Sequence, residues 1–243
     1  MNCGDESLDD LLLGGLEIFQ PLRGYRFSID SVLLAHFPDL QDVHHIIDLG
    51  TGNGVIPLLL AHRKPGLHIT GLEIQPQMVE RARRSTEHNR LGGKIKIECL
   101  DIRTLVDCFP AAVADMVICN PPFWKEGEGK INKNPEEALA RHEIAIKLPQ
   151  IIAAAAHVLK PRGRLAMIHR ADRLAEIRAS ISVQGFYFTR LRMVKSFVQD
   201  NPKLVLLEGC LANPGSPVEE PPLIIYQSSG VYTPEVKSLY AAP

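Results

Sequence analysis

The residues with the most specific chemistry in this 243-residue chain are Asn120-Pro121-Pro122-Phe123. An exocyclic amine on a purine is a poor nucleophile, because its lone pair is conjugated with the ring. The Asn120 side-chain oxygen and the Pro121 carbonyl can each accept one N–H hydrogen. Together these acceptors favour the pyramidal geometry that frees the lone pair. Pro121 and Pro122 stiffen the turn and remove competing backbone donors. Phe123 offers a ring for stacking, worth about 1–3 kcal/mol per base in single-strand binding sites. Taken alone, Asn-Pro-Pro also reads as an ordinary turn after a strand. A second motif, 66 residues upstream, argues for the chemical reading.

That motif is Asp48-Leu49-Gly50-Thr51-Gly52-Asn53-Gly54, between a strand-like run and a helix-like one. Glycines there let the backbone approach a ligand closely, and open parallel sheets bind ligands at the carboxyl ends of their strands. A dinucleotide fingerprint wants Gly-x-Gly-x-x-Gly. Here its third glycine position holds Val55, and Gly54 comes one place early. Asp48 would repel a pyrophosphate but suits the ammonium and sulfonium of S-adenosylmethionine (SAM). Glu73, 19 residues past Gly54, closes the next strand-like run and can accept from ribose hydroxyls, with Ile74 beside it. Asp101 can accept from the cofactor's adenine amino group, with Ile102 against the ring. It equally suits the N-cap of a short helix. Asn120 borders both cofactor and substrate.

The expected chemistry is therefore methyl transfer from SAM to an exocyclic amine, most naturally that of adenine. The sulfonium methyl is already activated, so in-line positioning carries much of the catalysis. An adenine in a folded RNA must be turned out of its stack to reach such a pocket.

The elements that must position these residues alternate along the chain. Residues 45–49, 68–73, 94–99, 115–119 and 164–168 read as strands. Residues 54–63, 75–91 and 148–159 read as helices, and 160–163 as a turn. This alternation predicts an α/β, Rossmann-like, mostly parallel sheet with helices on both faces. Residues 190–198, 204–211 and 223–227 are strand-like without long helices between them, which predicts an antiparallel closure. Residues 1–45 read as an N-terminal segment packing on a domain spanning 46–243. Residues 123–135 read as a flexible glycine- and charge-rich loop.

Composition sets broader limits. A hydrophobic fraction of 45% and a charged fraction of 23% are ordinary for a globular protein. The acidic start lacks a secretory pattern, and the longest apolar run, 151–159, is too short to cross a bilayer. The expectation is a cytoplasmic protein without a membrane partner, acting as a monomer. Five cysteines without a close pair (Cys3, Cys99, Cys108, Cys119, Cys210) read as buried free thiols rather than disulfides or a metal site. The net charge of −1 hides an asymmetry: residues 1–50 sum to −7 and residues 160–195 to +7. The basic stretch is a candidate contact for an RNA polyanion, or else a solvated face.

With these residues in view, the chain resembles class I SAM-dependent methyltransferases that act on amino groups. More narrowly, it resembles the tRNA1(Val) (adenine-37-N6)-methyltransferase family. The likeness is carried by Phe19-Gln20-Pro21, residues 24–35, residues 48–54, Asn120 to Phe123, Ala140-Arg141-His142-Glu143, residues 222–225 and Tyr232-Thr233-Pro234-Glu235. The resemblance implies a seven-stranded sheet with the last strand antiparallel. It also implies SAM near Gly50–Gly54 and Glu73, an adenine held by Asn120, and a tRNA substrate modified in its anticodon loop. Phe27 and Asp30 are the implied contacts to the methionine part of SAM. Phe123 departs from the tyrosine common in such motifs, but stacking survives the change. Other amino acceptors use the same tetrapeptide logic, notably ribosomal RNA adenine and the N5 of a protein glutamine. A non-catalytic SAM- or RNA-binding module is the reading of another class.

Overall fold

The computed structural model describes residues 6–24, 26–123, 146–213 and 215–240. Alternation within the strands sets the architecture. Ile46, Met116, Ile118, Ala166 and Ile168 face one apolar layer. Ile47, Leu49, Val117, Leu165 and Met167 face another. Strands apolar on both sides need cover on both faces. Helices α1 (Ile29–His36), α2 (Val55–Arg63) and α3 (Pro76–His88) cover the first. Helices α4 (Leu105–Cys108), α5 (Leu148–Val158) and α6 (Leu174–Val183) cover the second.

A hairpin of β1 (Glu6–Asp10) and β2 (Glu17–Pro21) precedes the sheet. The sheet itself contains β3 (His45–Leu49), β4 (His68–Glu73), β5 (Ile95–Cys99), β6 (Ala114–Cys119), β7 (Leu159–Arg170), β8 (Tyr187–Lys195), β9 (Leu204–Cys210) and β10 (Val218–Ile224). Their order is β10-β8-β9-β7-β6-β3-β4-β5. From β3 the chain builds outward to β4 and β5, then returns to build the other half from β6. The switch point lies between β3 and β6, where ligands collect in such sheets. The glycine turn leaves β3 there and Asn120 leaves β6.

Three sequence expectations are revised. Among the described residues the sheet has eight strands rather than seven. Only β9 is reversed, antiparallel to both β7 and β8. The third of the terminal strand-like runs does not extend the antiparallel closure; β10 pairs parallel to β8 at the sheet edge. Pro221 and Pro222 cannot donate to a ladder, which confines this strand to an edge. Its register shifts across them, between Glu220 and Leu223. The turn expected at 160–163 is instead part of β7, with irregular pairing between Ala114 and Met116 of β6.

The β1–β2 hairpin is clamped onto α3. Glu6 pairs with Arg81 and Arg84, the Phe19 N–H donates to Ser85 Oγ at 3.0 Å, and Ile18 is fully buried in the core. At the C-terminus, β11 (Tyr226–Ser228), β12 (Val231–Tyr232) and α7 (Pro234–Ser238) pack beside β10. Among the described residues, no helix is long and apolar enough to cross a membrane.

Candidate active site

The glycine turn is shaped by backbone hydrogen bonds to β4. The Gly50 and Thr51 N–H groups both donate to the Leu72 carbonyl, at 2.9 and 3.0 Å. Gly50 adopts a φ of 75°, which disfavours any side chain, and a Cβ there would meet nothing within 4 Å. Gly54 serves packing instead: its Cβ would lie 3.1 Å from that of Ala82, so glycine lets α3 approach.

Beside the turn lies a largely apolar cleft open to solvent, of the kind in which small molecules bind. Leu49, Gly50, Gly52, Glu73, Ile74, Met78, Asp101, Ile102, Asn120, Pro121 and Pro122 line it. Glu73 is buried, and its carboxylate is fixed at both oxygens: Oε2 accepts from Gly52 N–H at 3.0 Å and Oε1 from Gln75 N–H at 2.9 Å. Asp101 lines the cavity and also caps the following turn. Its Oδ1 accepts from Arg103 N–H at 2.9 Å, and the Arg103 guanidinium holds the carboxyl below the usual range.

Asp48 sits behind this wall, fully buried. Neither carboxylate oxygen makes a well-formed hydrogen bond among the described residues, although the nearby Thr51 hydroxyl offsets part of the burial. Burial pushes its pKa up to about 7, and the neighbouring Glu73 adds to the rise. A cation is what such a carboxyl lacks, and SAM carries two positive centres. The apolar cavity, the fixed Glu73 carboxylate and the uncompensated Asp48 together fit that cofactor.

Asn120 joins the two halves of the site. Its Nδ2 donates to Ser31 Oγ at 3.1 Å, leaving Oδ1 as the acceptor of the amide. Ser31 is buried on α1. Phe27 lines a small recess with Ser31, Thr51, Asn53, Asn120 and the glycine turn. Its N–H donates to Gln20 Oε1 at 3.0 Å, tying it to β2. Asp30 lies elsewhere, lining a groove on the far side of Phe123. Asn53 is buried, and its Oδ1 accepts from Arg81 Nη1 at 3.5 Å. Arg141 and His142, most of the 123–135 loop and Tyr25 lie outside the described residues.

Phe123 packs against His169, with ring centroids 5.4 Å apart and planes tilted by 38°. His169 is fully buried at the end of β7. Its Nδ1 accepts from Arg170 N–H at 2.8 Å, which places the proton of the neutral ring on Nε2. Burial and the nearby Arg173 depress its pKa to about 3. Ser31 and His169 are the site residues that motif reading passed over. Ser31 lay unsingled within a recognised segment, and no spacing marks His169.

The basic stretch is not one free face. Lys160 pairs with Asp115, Arg164 with Glu208, Arg170 with Asp172, Arg173 with Glu176, Arg190 with Glu220, and Arg192 with Glu235. Much of the local +7 is therefore neutralised, partly by acids distant in sequence. Among the cysteines, Cys119 and Cys210 are buried but Cys99 and Cys108 are exposed, contrary to a uniformly buried set. Among the described residues no cluster could hold a metal ion.

A glycine turn at the switch point, an acid closing the next strand and an Asn-Pro-Pro-aromatic run define a SAM-dependent methyltransferase. Residues 29–177 match the family model described as the methyltransferase small domain. A tRNA1(Val) (adenine(37)-N6)-methyltransferase from Porphyromonas gingivalis is 32% identical over 219 residues, covering 86% of this chain and 85% of that protein. One of the same name from Trichodesmium erythraeum is 28% identical, covering 88% of each. The chain belongs to this methyltransferase family. Among solved structures, a predicted O-methyltransferase from Agrobacterium tumefaciens superposes with a TM-score of 0.68 at 21% identity, covering 88% of this chain and 98% of that one. The hMettl16 catalytic domain superposes with a TM-score of 0.61 at 20% identity, covering 86% and 78%. These two likenesses concern the fold. The chain is a SAM-dependent enzyme.

Proposed function

We propose that the protein methylates N6 of an adenine in tRNA, at position 37 of the anticodon loop of tRNA1(Val). The observation that carries this reading is the place of Asn120. It lines the cofactor cavity, is oriented by Ser31, and leads through Pro121 and Pro122 to Phe123. The relatives of the same family bear that activity in their names.

When bound, SAM supplies a methyl group already activated on its sulfonium. Gly50, Gly52, Asn53 and Gly54 form the turn that would hold it. Glu73 would accept from its ribose hydroxyls with Ile74 alongside, and Asp101 and Ile102 would flank its adenine. Asp48 would favour its positive charge from behind the wall. Phe27, beside the glycine turn and Asn120, would contact its methionine part, whereas Asp30 faces the neighbouring groove. Asn120 Oδ1 and the Pro121 carbonyl accept the two N6 hydrogens, which directs the lone pair toward the methyl. Pro122 keeps that turn rigid, and Phe123 stacks on the extruded base. Positioning and orientation of this kind are worth several powers of ten in rate.

The tRNA contact extends over the sheet edge beyond Phe123, drawing on the Lys195 end of the 160–195 stretch rather than its paired members. The protein acts in the cytoplasm, as a monomer.

The test is transfer of labelled methyl from SAM to total tRNA from a strain lacking this protein, followed by nucleoside analysis. The expected product is N6-methyladenosine, lost in Asn120→Ala. Label in another nucleoside would overturn the adenine assignment. Label in protein or ribosomal RNA, with none in tRNA, would overturn the substrate.

A further inference from the structure

The carboxyl edge of the sheet continues past the catalytic tetrapeptide. Strands β6, β7, β8 and β10 run in one direction, so Phe123, Arg170, Lys195 and Tyr226 emerge at the same edge. Strand β9 runs the other way and begins there, which brings Lys203 beside the end of β8. The Lys203 N–H donates to the Val194 carbonyl at 3.0 Å. These residues line one groove, which starts at the Phe123 ring.

The groove suits a polyanion although acids share its wall. Asp172 is taken up by the Arg170 guanidinium, with Nε donating to Oδ1 at 3.0 Å. Asp30 is half-buried, and burial raises its carboxyl above the usual range. Lys195 donates to the Val198 carbonyl at 3.3 Å. Lys203 is exposed, and neither lysine has a carboxylate partner among the described residues. The arginines in the middle of β8 are the reverse case: Arg190 and Arg192 are both occupied by Glu220 and its neighbours.

An aromatic wall faces the lysines. Tyr226 is half-buried, stacked on Tyr232 at 5.4 Å with planes 21° apart, and flanked by Phe197 at 5.7 Å. Its N–H donates to the Ser196 carbonyl at 2.9 Å, so the ring is held on a fixed backbone. Paired cations beside a rigid ring match the sugar-phosphate and base alternation of a single strand.

We propose that this groove seats the single-stranded RNA flanking the target adenine, with backbone phosphate on Lys195 and Lys203 and a neighbouring base against Tyr226. The proposal rests on the reading of the site as an RNA adenine methyltransferase. An unstacked loop is the form of RNA in which bases are available for such stacking.

The experiment measures binding of an anticodon stem-loop RNA to the full chain across about 50–200 mM salt, the range over which phosphate contacts show. SAM affinity is measured in parallel. For the double variant Lys195→Glu/Lys203→Glu the RNA Kd should rise at least about tenfold. The slope of log K against log salt should fall by about 1.4, at about 0.7 per single-strand phosphate contact. SAM affinity should stay within about twofold, which reports an intact fold. Tyr226→Leu should weaken binding about five- to tenfold with little change of slope, as expected for lost stacking. Lys94→Glu, an exposed change at the opposite sheet edge, should have little effect. Wild-type RNA affinity in the double variant would overturn the proposal. An equal loss in Lys94→Glu would also overturn it, by assigning the effect to general charge. A wild-type protein that labels protein but no RNA would instead overturn the enzymatic reading, before any groove variant is made.

Discussion

The Asn120 side-chain nitrogen donates to the Ser31 hydroxyl at 3.1 Å, linking residues 89 apart in sequence. One lies just beyond β6 and the other on α1, so the bond ties the N-terminal helix to the catalytic turn. An amide has two ends of similar shape and opposite polarity. Ser31 engages the donor end, and the end that can accept from an amine is left for substrate.

Ser31→Ala should therefore lower kcat by about five- to tenfold, the rate equivalent of about 1 kcal/mol for one hydrogen bond. The KM for SAM should move little, and Ser31→Thr should recover much of the loss. Asn120→Ala should cost more, about 10²–10³ in kcat, as for removal of a polar group that acts on the reacting atoms. Steady-state rates on tRNA with each variant check this order. Equal losses for Ser31→Ala and Asn120→Ala would give Ser31 a direct role rather than a positioning one.

The parts of the fold legible in sequence were those with local signals. Strands β3, β4 and β6 are marked by apolar runs ending at glycine, acid or asparagine, and both chemical motifs lie at such ends. What sequence concealed was partnership across the sheet. Arg190 and Arg192 looked like a basic face because Glu208, Glu220 and Glu235 stand far along the chain. His169 carries no local signal, because its contact with Phe123 comes from β6 and β7 ending side by side. The eighth strand was obscured by its own prolines, which weaken a strand signal without forbidding an edge strand.

Gly50→Ala tests the cavity wall. Space exists for the methyl, but the φ of 75° does not suit a side chain. The backbone cost is about 1–2 kcal/mol. Because the added Cβ would occupy ligand space, SAM affinity should fall by at least about tenfold, beyond what the stability loss accounts for. Calorimetric SAM titration beside a thermal melt separates the two. Unchanged SAM affinity with a lowered melting temperature would place Gly50 in structure alone.

Two buried groups give opposite pH effects on stability. Asp48 titrates near 7 in the folded protein and at about 3.9 in an unfolded chain. Between those values the folded state holds a proton that the unfolded state has lost, so this contribution falls as pH rises through about 4 to 7. His169 titrates near 3 when folded and at about 6.5 unfolded. The unfolded state there binds the extra proton, so stability is lost as pH falls from about 6.5 toward 3. Asp48→Asn should flatten the decline toward neutral pH, and His169→Gln should reduce acid lability. Melting temperatures of the three proteins from pH 4.5 to 8 check both signs. Binding of the cationic cofactor favours ionised Asp48, so SAM affinity of the wild type should rise from pH 6 to 8. In Asp48→Asn this rise should disappear; if it persisted, the proton would belong to another group.

Arg190 should prove a structural residue rather than an RNA contact. Its guanidinium donates to Glu220 and to the Phe37 carbonyl, the latter at 3.0 Å, and lies 4.4 Å over the Phe37 ring. It also faces Glu208, which is 2% exposed and keeps Arg164 as its other cation. Removing one partner from a largely buried charge cluster costs about 2–3 kcal/mol. For a chain of this size that is about 4–12 °C of melting temperature. Arg190→Ala should therefore melt lower while binding RNA within about twofold of wild type at moderate salt, since a guanidinium already paired releases few counterions. A tenfold loss of RNA affinity without a change in melting temperature would restore the middle of β8 to the RNA interface.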